Sequence, residues 1–262
     1  MAAVSTKHIG VFDSGVGGLS VLKALQSRRP EMRYTYFADS LHAPYGSLDS
    51  KTLLVYSERI VSFLQSQGAE LIVVACNTLT TELIGELRSR FKLPFVGIEP
   101  AVKPAAVQSL NKRIGVLATE RTLKSAGYRS TCQLYAADVT LVERVGLGLV
   151  ESIEHLPWTS KELRAQIKYF TDEFRLHDID TLVLGCTHYP LVESLFCELL
   201  GESVKVLSAA EAVAKRVEQL TPNTQGSQSE LRLYTSGSAE HLAQLVERLS
   251  FTQLKSVSRL EL

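Results

Sequence analysis

The chain has 262 residues, is 45% hydrophobic and 21% charged, and balances 28 basic against 28 acidic side chains for a formal net charge of zero. That length suits two modest α/β domains or one large one, and the composition is that of a globular protein. With no basic stripe and no polybasic amphipathic segment, nucleic acid and membrane surfaces are not expected partners.

The first predicted element is a strand over 9–13. It runs into a glycine-rich turn, Asp13-Ser14-Gly15-Val16-Gly17-Gly18. A second strand over 34–38 leads through Asp39 to Pro44-Tyr45-Gly46. Leu53, Tyr56, Ile60 and Leu64 then fall on one helical face, with Gly68 as the stop. The strand over 71–75 ends at Cys76-Asn77-Thr78, and another follows over 95–98. Pro100 and Pro104 punctuate the chain before a strand over 114–118. Thr159 and Glu162 form a capping-box pattern that opens a helix reaching about Phe174. The strand over 181–185 ends at Cys186-Thr187-His188, and two more follow over 204–207 and 231–235.

Several of these strands are continuous Val/Ile/Leu runs, which marks burial on both faces of a parallel sheet. Alternation with helices gives the α/β class with right-handed crossovers. The halves also echo each other. Ile9-Gly10-Val11-Phe12 returns as Ile114-Gly115-Val116-Leu117, and the apolar run into Cys76 returns as the run into Cys186 at nearly the same spacing. Chance recurrence of common strings is the alternative. Duplication predicts two pseudo-symmetric doubly wound domains with mostly parallel sheets. The expected division is 1–100 plus 210–262 for the first domain and 101–209 for the second, the chain crossing near 100 and again near 209.

No segment approaches the ~20 apolar residues of a spanning helix. Residues 1–7 carry no apolar core for a signal peptide, so the expected compartment is the cytoplasm. There Cys76, Cys132, Cys186 and Cys197 should be reduced. No Cys-x-x-Cys pair or Cys/His cluster has zinc spacing, so no metal is expected.

The chemistry gathers where strands end. A parallel strand presents the residues after its carboxyl end to a ligand. Cys76 and Cys186 both stand there, each followed by hydrogen-bonding side chains: Asn77 and Thr78, Thr187 and His188. A lone cysteine in such a place is usually a small core residue, but two in matching positions could act as acid and base across one substrate. A following helix N-terminus would favour the thiolate. His188 could tune Cys186, and Asp13 could do the same for Cys76. The glycine turn is neither a dinucleotide fingerprint nor a Walker A loop, since Ser20 occupies the last glycine position and no Gly-Lys-Ser/Thr follows. Its backbone could meet an anion, or it could be a tight turn with Asp13 as a helix cap. Pro44-Tyr45-Gly46 could offer donors to a carboxylate or be plain punctuation. Cys132 and Cys197, in helical patterns without polar companions, read as structural.

Phe12-Asp13-Ser14-Gly15-Val16-Gly17-Gly18, Pro44-Tyr45-Gly46, Ala75-Cys76-Asn77-Thr78 and Gly185-Cys186-Thr187-His188-Tyr189-Pro190 together resemble the signature motifs of the glutamate racemases, in the same order. The resemblance covers roughly residues 8 to 220. It implies two α/β domains with the active site in the cleft between them, and racemisation of glutamate without a cofactor, supplying D-glutamate to peptidoglycan. It implies Cys76 and Cys186 as the two bases, Cys76 acting on D-glutamate and Cys186 on L-glutamate, with Asp13 and His188 assisting. Asp13, Ser14, Tyr45, Gly46, Asn77, Thr78, Thr187 and His188 would hold substrate, and Glu151 matches an acid near the substrate ammonium. The partner expected is glutamate alone, and a homodimer is left open.

Two stretches depart from the family pattern. Leu207-Ser208-Ala209-Ala210 replaces an Asp-Ser/Thr-Gly/Ala stretch, and Gly146-Leu147 stands where Cys-Pro is frequent. Some members carry a longer N-terminal extension tied to activation by a peptidoglycan precursor, whereas seven residues precede His8 here. The rival readings are a racemase acting on aspartate or another small acid, and a non-catalytic amino-acid binder, a class that normally carries a secretory signal.

Overall fold

The computed structural model describes residues 8–222 and 229–262, so the expectation about residues 1–7 lies outside the described residues. Ten strands are described: β1 His8–Asp13, β2 Arg33–Ala38, β3 Leu71–Val74, β4 Phe95–Gly97, β5 Arg113–Ala118, β6 Thr140–Val145, β7 Thr181–Gly185, β8 Lys205–Leu207, β9 Glu230–Thr235 and β10 Leu254–Arg259. They form a six-stranded sheet in the order β10-β9-β2-β1-β3-β4 and a four-stranded sheet in the order β6-β5-β7-β8. Every pairing is parallel. The central strands β1, β3 and β7 are buried along their whole length, as continuous apolar runs require.

The chain divides into two compact units. One reaches to Ile98 and resumes from Ala210 to Leu262; the other is Glu99–Ala209. The internal echo has a structural counterpart: β2-β1-β3-β4 in the first sheet has the same order as β6-β5-β7-β8 in the second. Gly10 on β1 and Gly115 on β5 play the same part in it. A Cβ at Gly10 would press on Leu64, Ala69 and Ile72, and one at Gly115 on Phe174 and Ile179. Leu64 and Phe174 belong to the helices Ser50–Ser66 and Lys161–Leu176. Each repeat thus uses a glycine where a covering helix meets the middle strand.

The helix Ser50–Ser66 is capped by Asp49, whose carboxylate accepts from the backbone of Lys51 and Thr52. Its buried face carries Leu53, Ile60 and Leu64, and Gly68 leaves it at φ +90°. The predicted capping box is replaced by a single cap one residue on, with Leu163 at the third helical position. Ser160, not Thr159, caps the helix Lys161–Leu176 by accepting from the Leu163 backbone N–H.

Strands β6 and β10 are absent from the sequence-based expectations. Each sits at a sheet edge, and each is mixed in polarity, with Glu143 and Arg144 inside β6 and Lys255 and Ser256 inside β10. An edge strand is covered less than a central one, so its sequence need not be apolar.

The segment from Ala210 onward is bound to the first unit by packing and by one buried cation. Helix Ala210–Leu220 lies against helix Leu19–Arg28. The Arg29 guanidinium, nearly buried, pairs with Glu31 at 2.6 Å and donates to the Thr221 hydroxyl at 2.7 Å and to the Thr221 carbonyl. A buried charge must be met in this way, since truncating one partner leaves the other unpaired in the interior.

His8 opens β1 with its Nε2 against the Thr35 hydroxyl at 2.8 Å. Burial, reinforced by the Arg33 and Arg232 charges, pushes its pKa down to about 4. The folded protein therefore holds His8 neutral while the unfolded chain takes up a proton below about pH 6.5. Stability tied to the neutral ring is whole above pH 6.5 and declines as pH falls towards 4. Urea unfolding of the wild type and of His8→Gln at pH 7 and pH 5 measures this. The wild type should lose stability relative to the variant by on the order of 1 kcal/mol over that interval.

Candidate active site

In the first unit the carboxyl ends of β1, β2 and β3 meet at one edge. Asp13 is in register with Ala38 and Phe12 with Val74. The Asp39 N–H donates to the Asp13 carbonyl at 3.0 Å, and the Ala75 N–H to the Phe12 carbonyl at 2.8 Å. Cys76 therefore emerges beside the Asp13 turn. Its Sγ lies 3.8 Å from the Ser14 hydroxyl, whose oxygen is 3.5 Å from Asp13 Oδ1. Cys76 is also the N-cap of the helix Asn77–Arg90, where the helix dipole favours negative charge on sulfur.

The glycine turn is held from two sides. Asp13 Oδ2 accepts from the Gly18 N–H at 2.6 Å, and the Tyr36 hydroxyl donates to the Gly15 carbonyl at 2.6 Å. The carboxylate thus meets the start of the helix Leu19–Arg28 itself. A Cβ at Gly18 would overlap Asp13 and Tyr36, so glycine is required for that approach.

Tyr45 and Gly46 lie in a short 3-10 turn, Tyr45–Ser47, after a cis Ala43–Pro44 bond. The Tyr45 ring is buried in the same apolar cluster as Cys76 and Phe12, and its hydroxyl donates to Asp39 Oδ2 at 2.7 Å. Burial first, and then the negative charge and hydrogen bond of Asp39, hold this phenol well above its ordinary pKa, with smaller contributions from Cys76 and Asp13. Tyr45 is therefore a fixed hydroxyl. Asn77 is 4% exposed, and its side-chain oxygen has no hydrogen-bond partner among the described residues. An unmet buried amide group costs roughly 1–3 kcal/mol and marks a place where a ligand can repay it. Thr78 is buried beside it.

In the second unit β7 delivers Cys186, Thr187 and His188, all buried. His188 Nδ1 is 3.8 Å from Cys186 Sγ, and its Nε2 is 2.6 Å from Glu154 Oε1. Burial alone would lower the pKa of this histidine. The hydrogen bonds and charges of Cys186 and Glu154 outweigh burial and hold it well above 6.5. The charged form of the ring is thereby favoured, and in that form both nitrogens donate, one to sulfur and one to carboxylate. The expected helix N-terminus is present only for Cys76, because a 3-10 turn, Tyr189–Val192, follows Cys186. His188 stands beside Cys186 where a helix N-terminus stands beside Cys76 in the first unit.

The family model for Asp/Glu/hydantoin racemases matches residues 21–217. A curated glutamate racemase of Pseudomonas aeruginosa is 40% identical over 249 residues, covering 93% of this chain and 94% of its own. The crystal structure of Escherichia coli glutamate racemase, solved with L-glutamate and the activator UDP-MurNAc-ala, superposes with a TM-score of 0.87 at 29% identity, covering 97% of this chain and 98% of that one. A glutamate racemase isoform from Bacillus anthracis gives the same TM-score at 28% identity over 99% of both chains. The chain belongs to the Asp/Glu/hydantoin racemase family. With relatives of this kind across its length, it is an amino-acid racemase.

Within this racemase, the residues expected from the sequence separate into two groups. Asp13, Ser14, Tyr45, Asn77 and Thr78 lie with Cys76 in the first unit, and Gly46 is exposed in the Tyr45 turn. Thr187 and His188 lie with Cys186 in the second. Glu151 is exposed in the first turn of helix Leu149–His155, and its charge reaches Tyr189. The acid that meets His188 is Glu154, one turn further on. The sequence reading missed it because its neighbours, Ile153 and His155, gave no motif. The signal available was helical spacing, since Glu151 and Glu154 are three residues apart and adjacent on one face.

The Gly146-Leu147 departure also has a structural reason. The Tyr189 hydroxyl donates to the Gly146 carbonyl at 3.4 Å and occupies the space a Cβ at 146 would need. Gly148 follows at φ +70° as the N-cap of the helix that carries Glu154. The other two cysteines differ from expectation in their surroundings. Cys132 is half-buried beside the Tyr128 hydroxyl, Glu143 and Arg129, with burial raising its pKa, and Cys197 is exposed. Among the described residues no three His, Cys, Asp or Glu side chains are grouped as metal ligands, and no helix is long and apolar enough to cross a membrane.

Glu154→Gln keeps the shape and removes the charge. His188 deprotonation, followed by nitrogen-15 chemical shifts of the imidazole, should move down in pH by about 1 unit. An unchanged titration would mean that Glu154 does not hold the ring charged.

Proposed function

We propose that the chain interconverts L- and D-glutamate by two-base proton transfer at Cα, with Cys76 and Cys186 as the bases and no cofactor. The observation that carries this reading is the pair of strand-end thiols, each with its own polar partner: Ser14 and Asp13 for Cys76, His188 and Glu154 for Cys186. The glutamate racemases to which the chain is similar support the choice of substrate. By the same likeness, the D-glutamate formed would serve peptidoglycan synthesis.

Inversion through a carbanion requires one thiolate and one thiol on opposite faces of Cα. The thiolate takes the α-proton from its side. The electron pair left behind delocalises into the α-carboxylate as an enediolate. The opposing thiol then returns a proton to the other face and becomes the thiolate for the reverse direction. The difficult part is the weak acidity of the α-proton, and donors aimed at the developing enediolate are the main remedy, one such donor being worth about 3 kcal/mol. Asn77, Thr78, Thr187 and the backbone near Ser14 are assigned this task, while Tyr45 and Gly46 hold a carboxylate in substrate and transition state alike. Asp13, Glu151 and His188 stand as the charged neighbours of the substrate and the sulfurs. The buried, unpartnered amide oxygen of Asn77 beside Cys76 supports a polar ligand group at that point.

Circular dichroism of L-glutamate or D-glutamate incubated with the purified protein alone should decay to zero, with solvent deuterium entering Cα in D₂O. Cys76→Ala and Cys186→Ala should each reduce racemisation roughly a thousandfold or more, while Cys132→Ala and Cys197→Ala leave it in place. A requirement for pyridoxal phosphate or metal, a preference for aspartate, or full activity in either Cys76→Ala or Cys186→Ala would defeat the proposal.

A further inference from the structure

The family model ends at residue 217, yet the chain beyond it returns to the edge where Tyr45 and Cys76 lie. Strand β9 pairs with β2 in register, Thr235 beside Ala38. The next residue, Ser236, is 2% exposed, and its backbone N–H and its hydroxyl are both engaged. Its backbone N–H donates to the Ala38 carbonyl at 3.0 Å. Its hydroxyl accepts from the Leu41 N–H at 2.9 Å and donates to Asp39 Oδ1 at 2.8 Å. The other oxygen of that carboxylate, which is itself 3% exposed, takes the Tyr45 hydroxyl at 2.7 Å. His42 Nδ1 approaches Asp39 Oδ1 at 2.8 Å, and the His42 ring stacks on Tyr56 at 3.9 Å between centroids.

Asp39 is thus a fork with one prong on the Tyr45 turn and the other on β9. Ser236 fixes the fork and, through Leu41, the first residues of the segment leading to Tyr45. That turn packs against the helix Asn77–Arg90, which begins at Cys76. The Ser236 hydroxyl reaches Tyr45 by way of Asp39, and the start of the segment leading to it by way of Leu41.

We propose that Ser236 is a positioning residue for the substrate-holding turn, acting through Asp39 on Tyr45. The proposal rests on the reading that Tyr45 and Gly46 hold the substrate carboxylate. A turn that grips substrate and transition state alike affects KM more than kcat when it loosens. Fixing it from β9 makes the C-terminal strands part of the binding apparatus as well as a sheet edge.

The test compares Ser236→Ala and the near-isosteric Ser236→Cys with Ser236→Thr, which keeps the hydroxyl. Ser238→Ala, which removes the cap of helix Ala239–Arg248 in the same turn, controls for general loosening of this segment. Ser236→Ala and Ser236→Cys should lower kcat/KM about tenfold for both glutamate enantiomers, through KM, with kcat within about threefold. Ser236→Thr and Ser238→Ala should stay near wild type. Tyr45→Phe combined with Ser236→Ala should be no worse than the poorer single variant, since both cut one chain of bonds. Wild-type kcat/KM in both Ser236→Ala and Ser236→Cys, an equal loss in Ser238→Ala, or multiplicative losses in the double variant would overturn the proposal. If either hydroxyl-deleting variant does not fold, the other carries the comparison.

A wild type inert toward glutamate would defeat the functional reading, not this inference. The decision would then rest on amide exchange at Ser47 and Leu48, whose N–H groups bond within the turn and do not touch Ser236. Faster exchange in Ser236→Ala but not in Ser238→Ala supports the link, and unchanged exchange overturns it.

Discussion

Parallel pairing of β1 with β2 and β3 places three chain reversals at one sheet edge, and the chemistry of the first unit depends on that edge. Because the strands run the same way, each ends where its neighbour ends, so Asp13, Asp39 and Cys76 emerge together although they are far apart in sequence. The backbone bonds Asp39 N–H to Asp13 carbonyl and Ala75 N–H to Phe12 carbonyl continue the ladder past the last formal strand residues. They leave each reversal little freedom to drift. The second unit repeats the device, with Gly146 N–H on the Ala118 carbonyl and Cys186 delivered by β7.

The two thiols share a position in the repeat but not an environment. Cys76 has a helix N-terminus and a serine hydroxyl backed by a carboxylate. Cys186 has a buried histidine backed by a carboxylate. The shared strand order supplies a strand end and a thiol in each unit, and the partners differ. For a racemisation this asymmetry is permitted. Enantiomers have equal free energy in solution, so under the two-base proposal kcat/KM is the same in both directions whatever the surroundings of each sulfur. Differences between the two sulfurs can appear only in kcat and KM taken separately.

The large sheet owes its last two strands to the returning segment, and that segment is tied in by polar groups at both ends. Arg29 with Thr221 joins it at the carboxyl ends of the helices Leu19–Arg28 and Ala210–Leu220, and Ser236 with Asp39 joins it at the carboxyl edge of the sheet. Buried bonds to charged groups of this kind are costly to break because the charge left behind is unpaired. They therefore fix placement even where their net contribution to stability is modest.

The sequence by itself determined the α/β class, the parallel sheets and the duplicated strand-to-cysteine unit, because these rest on local information. Short, Val/Ile/Leu-rich apolar runs such as 71–75 and 181–185 read as strands buried on both faces, and a polar residue after such a run reads as lying at the carboxyl end of the sheet. It placed Asp13 and Ser14 with Cys76, and His188 with Cys186, for the same reason. What only the tertiary structure decided was which side chains meet across elements. Glu154, not Glu151, reaches His188, because helix Leu149–His155 turns that face inward from the Gly148 cap. The edge strands β6 and β10 escaped notice because partial cover leaves no apolar signature. Ser236 escaped because its partner Asp39 lies nearly two hundred positions away. A hydrogen bond between residues that distant leaves no trace in local pattern, since it depends on the register of β9 against β2, which folding sets and no short stretch of chain records.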